Sequence, residues 1–398
     1  MALDLIIAGA GIGGLSLAMA QSRLSAQPIR VLEKTAVLSE VGAGLQLGPN
    51  AVRHLIAWGL GPALKRVAFE PRRLQVHSLL SGAVLAELAL ADQGRAQQIY
   101  GAPYWCLRRA DLQQALLQAV QASGQIDLQL GQAWQAVPQA RPGDQGEAPL
   151  LIGADGLWSP VRAWAWPEVA APRASGHVAW RALLPQMTLP VALRSDCVRV
   201  WMGPRCHVVA YPVAAGEQLN LVAISNQTQE PAPSGTEDFW DQSTDLDWVR
   251  QSLLPQAPPS LRPLLEAVPA WRQWPLFERP PLGSAAEMAR GRVALLGDAA
   301  HPMRPYLAQG AAMAIEDAAE LAACLSQQSD ASALSRYAQR RWQRCARVQR
   351  ASLRNGRIFH ASGPFGLVQK ARDASLRLLG PSLLDPAWLY GGGPALSA

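Results

Sequence analysis

Six residues near the start of the chain, Gly9-Ala10-Gly11-Ile12-Gly13-Gly14, form a G-x-G-x-x-G between an apolar run and a segment of small residues. The pattern predicts a strand over residues 3–8, a tight turn, a helix over 13–23 and a second strand over 29–33, a βαβ unit. Each glycine has its own reason to be there. Gly9 permits the turn, Gly11 lets the backbone approach a pyrophosphate, and Gly14 lets helix and strand pack closely, while free N–H groups at the helix start face the phosphates. Glu33, nineteen residues beyond Gly14, is placed to accept hydrogen bonds from ribose hydroxyls, and a carboxylate there disfavours a 2′-phosphate. A dinucleotide site follows, for NAD or FAD.

The same segment excludes two alternatives. It follows Asp4 rather than a basic region and carries its glycines in a turn pattern, so it reads neither as a secretory signal nor as a membrane span. Cys106, Cys197, Cys206, Cys324 and Cys345 are odd in number and contain no C-x-x-C pair, which predicts neither a disulfide framework nor a metal site and suits a reducing cytoplasm. Hydrophobic residues make up 49% of the 398 and charged residues 17%, values that exclude a disordered chain. The net charge of +6 comes without a run of five or more basic residues, which argues against a nucleic-acid partner and leaves a mild attraction for anionic ligands. The 14 tryptophans accompany a preference for Arg over Lys, so compositional bias explains them without a stacking ligand.

Further along, the sequence predicts a strand at 45–47, a helix from Pro49 to Gly59, a hairpin at 73–80 and 83–88, a helix at 110–122 and a buried strand at 148–153. From about 176 to 225 the pattern changes to alternating strands at 178–184, 198–202, 207–213 and 219–224, best accommodated in an antiparallel sheet. The Pro-rich stretch 229–280 holds short helices and loops with a returning strand at 271–277. A buried strand at 291–297 and long helices at 310–324 and 331–355 follow. The nucleotide-type elements are thus discontinuous. The expected division is 1–70, 100–172 and 285–330 for the cofactor, 71–99 and 173–284 for a substrate sheet, and 331–398 as a C-terminal helical region.

Two more motifs separate FAD from NAD. Leu150-Leu151-Ile152-Gly153-Ala154-Asp155-Gly156, followed by Ser159 and Arg162, is a strand ending in a D-G turn. Leu295-Leu296-Gly297-Asp298 ends a second strand, and Gln309-Gly310 opens a helix twelve residues past Asp298. A dehydrogenase needs neither. FAD needs an acceptor for its ribityl hydroxyls, which Asp298 can supply, and a positive pole near its pyrimidine ring, which the helix starting near Gly310 can supply.

These three motifs, with residues 41–51, Leu107-Arg108-Arg109-Ala110-Asp111-Leu112, Trp180-Arg181 and Cys206-His207-Val208-Val209-Ala210-Tyr211-Pro212, resemble the single-component (group A) flavin-dependent aromatic hydroxylases. The likeness runs over nearly the whole chain and is nearest to the salicylate, 3-hydroxybenzoate and 6-hydroxynicotinate hydroxylases. It implies an α/β fold: a Rossmann-like FAD domain of the glutathione-reductase type with an inserted antiparallel substrate sheet and a helical C-terminal region. It implies bound FAD contacted by Gly9, Gly11, Ile12, Gly13, Gly14, Glu33, Lys34, Arg109, Asp155, Asp298, Gly310 and Ala311. In such enzymes NADH or NADPH docks transiently and reduces the flavin, O2 forms a flavin C4a-hydroperoxide, and one oxygen passes to a small aromatic acid or phenol. A homodimer is left open.

Ring attack needs electron density, so the phenol should be bound as, or polarised toward, phenolate. The resemblance makes His207 the candidate base, with Tyr211 four residues along the same strand and hence on the same face. It places Pro305 by the flavin edge and Tyr306 and Gln46 against the substrate ring. The nicotinate hydroxylases have His at the last two positions, a departure that points away from a pyridine substrate. Two other readings stay open: a bicyclic or N-heteroaromatic substrate, and a flavin-binding protein that does not oxygenate. His301 is expected to brace its loop, Cys206 to face away from His207, and His54, His77, His177 and His360 to have no role.

Overall fold

The computed structural model describes residues 5–38, 44–136, 149–226, 242–244 and 248–396. The expectations at 3–4, 41–43, 148, 229–241 and 245–247 lie outside the described residues. β1 (Leu5–Ala8), α1 (Ile12–Leu24) and β2 (Ile29–Glu33) form the expected βαβ unit. Then come β3 (Gly44–Leu47), α2 (Pro49–Ala57), α3 (Gly61–Lys65), the hairpin β4 (Arg73–Ser78) and β5 (Val84–Ala89), and α4 (Arg95–Tyr100). β6 (Trp105–Arg108), α5 (Arg109–Gln121), β7 (Ile126–Leu130), β8 (Leu150–Gly153) and α6 (Pro160–Ala165) follow. The central segment supplies β9 (Arg173–Pro185), β10 (Val198–Gly203), β11 (Cys206–Val213), β12 (Gln218–Asn226), β13 (Gln242–Thr244), α7 (Arg262–Glu266) and β14 (Trp271–Glu278). β15 (Ala289–Arg290), β16 (Val293–Leu295), α8 (Gly310–Gln327), α9 (Ala331–Phe359), α10 (Leu367–Leu384) and α11 (Ala387–Tyr390) close the chain.

One sheet has the order β15-β16-β8-β1-β2-β7, with every pair parallel except β15–β16. Its strands read as apolar runs because helices cover both faces. Val31, Ile7, Ile152 and Ala294 lie side by side across four strands, all fully buried. Burial of that row contributes about 1.5–3 kcal/mol for each of the three large side chains. The sheet brings together strands from residues 5–33, 126–153 and 289–295, and α8 packs on α1 beside it.

The second sheet has the order β13-β14-β9-β12-β11-β10-β4-β5. The strands between 173 and 226 are antiparallel to one another, as the alternation predicted, while β4, from the earlier hairpin, pairs with β10 in parallel. The hairpin β4–β5 leaves the chain early and β10 returns after the crossover a parallel pair requires, here a path through the first sheet. One face carries Trp180, Trp201, Val208 and Leu221 in an apolar cluster with α7. The other carries His207, Val209 and Tyr211 at alternate positions of β11.

Candidate active site

The glycine turn separates packing from ligand access. Gly9 has φ +102°, and a Cβ there would lie 2.5 Å from the Ala154 carbonyl oxygen. A Cβ at Gly14 would lie 1.9 Å from the Gly9 oxygen, and one at Gly13 would lie 2.5 Å from Leu296 Cδ1. Gly9 and Gly14, crowded by backbone, are required by the fold itself, while at Gly13 the Leu296 side chain would have to move. Gly11 differs: nothing lies within 4 Å of its Cβ position, and it caps α1 without a side-chain hydrogen bond. The helix therefore presents its unsatisfied amides to open space. Ile12 buries its side chain in the core, leaving its backbone for that role. Glu33 accepts from Ala10 N at 2.8 Å, Thr35 N at 3.0 Å and Thr35 Oγ1 at 3.0 Å, so it fixes the turn to β2. A carboxylate has about four lone-pair sites, which leaves room for a ribose hydroxyl. Lys34 beside it is exposed; burial pushes the Asp155 carboxyl up, and Lys34 is among the groups that oppose that shift.

The second and third motifs are tied together. Asp155 Oδ2 accepts from Val161 N at 3.0 Å at the start of α6, and buried Arg162 donates to the carbonyls of Ala299 and Ala300, both at 2.9 Å. Asp298 is open to solvent yet densely surrounded, as at the bottom of a cleft; burial raises its pKa, opposed by Arg109 and His301. Arg109, the first residue of α5, thus lies close enough to Asp298 to act on its charge. Gly310 opens α8 with nothing within 4 Å of its Cβ position, and Ala311 follows half-buried.

Behind this loop lies a buried ionic network. Asp317 accepts from Gly297 N at 3.0 Å, from Arg341 Nε at 2.8 Å and from His301 Nε2 at 2.5 Å. Arg341 also reaches Glu316 at 2.7 Å, which receives Arg344 and Asn50, each at 2.7 Å. Burial pushes the Asp317 carboxyl up, but His301 and Arg341 outweigh it and hold it well below the usual range. His301, Asp317 and Cys345 cluster closely enough to suggest a metal, yet Arg341 already supplies the cation. His301 braces the loop, as expected.

On the face of the second sheet that carries His207 and Tyr211, the candidate residues form two groups. At one end of β11 His207 is buried, with the Tyr306 ring centroid 5.3 Å away. Tyr306 belongs to the loop before α8, pinned to β14 by Arg304–Glu278 at 2.7 Å and to α9 by Gln349 Nε2 to Pro302 O at 3.1 Å. Pro305 beside it is exposed. At the other end Tyr211 lies against Gly44, where a Cβ would be 2.8 Å from its ring, and burial pushes its phenol up while neighbouring Gln46 opposes that shift. Tyr104 donates to Gln46 Oε1 at 2.9 Å. Between the two ends, Val209 and its cross-strand neighbour Val222 are half-buried, with Arg181 next to Val222 over the Trp274 ring at 5.1 Å. The result is an apolar floor with polar groups at both ends.

A family model described as FAD binding domain matches residues 2–352. The chain belongs to this FAD-binding family. It is 37% identical over 372 residues to 3-hydroxybenzoate 6-hydroxylase 1 of Aquipseudomonas alcaligenes, covering 90% of each chain. It is 34% identical over 362 residues to 6-hydroxynicotinate 3-monooxygenase of Bordetella bronchiseptica, covering 87% of this chain and 89% of the relative. Its fold matches a salicylate hydroxylase substrate complex with a TM-score of 0.77 at 22% identity, over 99% of both chains. The protein is therefore an FAD-dependent monooxygenase of the aromatic-hydroxylase type. The residues fit FAD: open space at Gly11, beside the crowded Gly9, Gly13 and Gly14, open space at Gly310, and the exposed carboxylate of Asp298 within the influence of Arg109. Among the described residues no helix is long and apolar enough to cross a membrane.

Two histidines given no role by the sequence lie beside His207 in this flavoenzyme. His360, at the end of α9, lies 2.8 Å from His207 Nδ1 through its Nε2, and His177 of β9 stacks on His360 at 5.6 Å. Neither sits in a motif, and 153 residues separate His360 from His207, so only the folded chain joins them. Burial, then His360 and His177, push His207 well below its ordinary value. His54 and His77 pack on Trp58 and Trp201. Cys206 faces the opposite apolar cluster, where burial raises its thiol to about 12.

Proposed function

We propose that this monooxygenase hydroxylates a small aromatic acid carrying a phenol, with NADH or NADPH as reductant and O2 as oxidant. The ring lies on the Val209–Val222 floor, its phenol toward His207 and Tyr306 and its acid group toward Tyr211 and Gln46. The observation that carries this reading is the contact of His207 with Tyr306, which puts a neutral imidazole beside the loop that leads into α8. FAD, when bound, accepts hydride and activates O2, and the chain's own residues prepare the substrate. Burial keeps His207 uncharged, so it accepts the phenol proton rather than donating one. The loss of that proton puts electron density on the ring. Tyr306 and Phe359 exclude water around the imidazole.

The resemblance to 3-hydroxybenzoate and 6-hydroxynicotinate enzymes supports the substrate class, and Tyr306 with Gln46 favours the benzoate side of it. A panel of hydroxybenzoates, anthranilates, hydroxynicotinates and quinolones, scored for NAD(P)H oxidation, oxygen uptake and hydroxylated product, tests the proposal. A hydroxybenzoate should be turned over best. Preference for a quinolone or hydroxynicotinate would move the substrate class, and no stimulation by any of them would favour a non-oxygenating flavoprotein.

A further inference from the structure

His207 Nδ1 and His360 Nε2 are 2.8 Å apart, so one proton lies between the two rings. We propose that His360 is a positioning residue for His207: by accepting the Nδ1–H through its Nε2, it leaves His207 Nε2 bare to take the phenol proton. The proposal rests on the reading of His207 as the base. In the step, the phenol O–H bond breaks, an N–H bond forms at His207 Nε2, and the positive charge is shared across the N–H···N bond with His360. The charge stays balanced by the phenolate, and no electron moves. A buried imidazole alone is a weak base, because nothing stabilises the imidazolium it becomes. Neutral His360, accepting on its far nitrogen, fixes the tautomer and takes the hydrogen bond of the imidazolium, in the orienting part of the role a carboxylate has in a hydrolase triad; it opposes the charge on His207 only when it is itself charged.

Three observations set the pair apart from packing. His360 Nδ1 is buried without a hydrogen-bond partner among the described residues, a cost that a residue present only to fill space avoids. His360 is itself held in place, since Arg372 Nη1 donates to the Phe359 carbonyl at 3.0 Å and Arg205 N to the His360 carbonyl at 3.4 Å. The surroundings also keep the resting pair neutral. His177 of β9 donates through Nδ1 to Ser175 O at 2.9 Å and stacks on His360. Arg304 with Glu278 of β14, Arg372 of α10 and the exposed Arg205 of the β10–β11 turn are the charged groups around it, and Tyr306 is the other titratable one. Burial, then His177, Arg304 and Arg372, push His360 to about 3.

The test is the ionisation of a bound hydroxybenzoate, read from its phenolate absorbance against pH in the FAD-loaded enzyme. His360→Leu should raise the apparent pKa of the bound phenol by roughly tenfold in proton affinity, the loss of one hydrogen bond to the base. FAD content should be unchanged. His360→Gln, whose amide oxygen can take the place of Nε2, should restore most of the wild-type curve, and His360→Asn should restore less. If His360→Leu fails to fold, the Gln and Asn curves decide, and identical curves would overturn the proposal. If His207→Gln abolishes phenolate binding while His360→Leu leaves the wild-type curve unshifted, the pairing falls and the base stands. If His207→Gln leaves phenolate binding intact, the reading of the base falls with it.

Discussion

The ring of Tyr306 occupies the space that a side chain at residue 356 would need. A Cβ on Gly356 would lie 2.7 Å from Tyr306 Cε2, so a glycine inside the 29-residue helix α9 is what lets Tyr306 lie against His207. Glycine in a helix interior costs about 1 kcal/mol relative to Ala, so Gly356→Ala gains helix propensity and loses the site. The variant should keep its FAD and its melting temperature within a few degrees, while KM for the aromatic substrate rises. An unchanged KM would show that Tyr306 does not line the site.

The glycine turn predicts a split between folding and cofactor binding. Gly14→Ala puts a Cβ 1.9 Å from the Gly9 oxygen, so soluble protein should be largely lost. Gly11→Ala meets nothing within 4 Å and should fold like the wild type while retaining less flavin on dilution. Melting temperature and flavin content, measured on both variants, separate the two effects. Equal behaviour would contradict the assignment of Gly11 to the pyrophosphate.

Arg341 is held by Asp317 and Glu316 at 2.8 and 2.7 Å in full burial. Replacing it with Met leaves two buried carboxylates short of a partner. Breaking a buried pair in this way costs about 3–5 kcal/mol, and urea unfolding of Arg341→Met should show a loss of that order. The Gly297–Asp298 loop hangs on Asp317, so flavin affinity should fall with it.

His207, His177 and His360 are held below the ordinary histidine value, and burial likewise lowers His54 to about 4. The unfolded chain therefore takes up protons before the folded one. The stability these groups give is full above about pH 6.5 and is lost as the pH falls through their folded values, to about 3 for His360. Asp317, also depressed, adds to the loss only below about pH 3.8. His301 is shifted up, against its own burial, by Cys345 and Asp317, so its contribution changes only above about pH 6.5. Melting temperature should drop between pH 6.5 and 4.5, and His360→Gln should flatten that slope.

Strands with strong periodicity or a chemical motif were legible. The run Ile29–Glu33 has the bounds the sequence indicates, and Pro49 and Gly59 bracket α2 as their backbone preferences dictate. β7 was missed: Ile126–Leu130 alternates like a strand but is a short edge, and its place beside β2 is decided by tertiary pairing. The parallel pairing of β4 with β10 was also hidden, because alternation tells which face a residue takes and not which neighbour a strand chooses. In the site, His207 and Tyr211 share a face by strand period alone. His360 could not be found that way, since helix α9 brings it to His207 through packing around Gly356 and Tyr306.

Hydroxylation under isotopically labelled O2, with NAD(P)H consumption counted against product, tests the central claim most directly. One labelled oxygen per molecule of hydroxylated aromatic acid, with one NAD(P)H oxidised for each, is the expected result. Flavin-loaded protein that consumes NAD(P)H in the presence of the hydroxybenzoates but yields only peroxide, or product carrying oxygen from water, would contradict it.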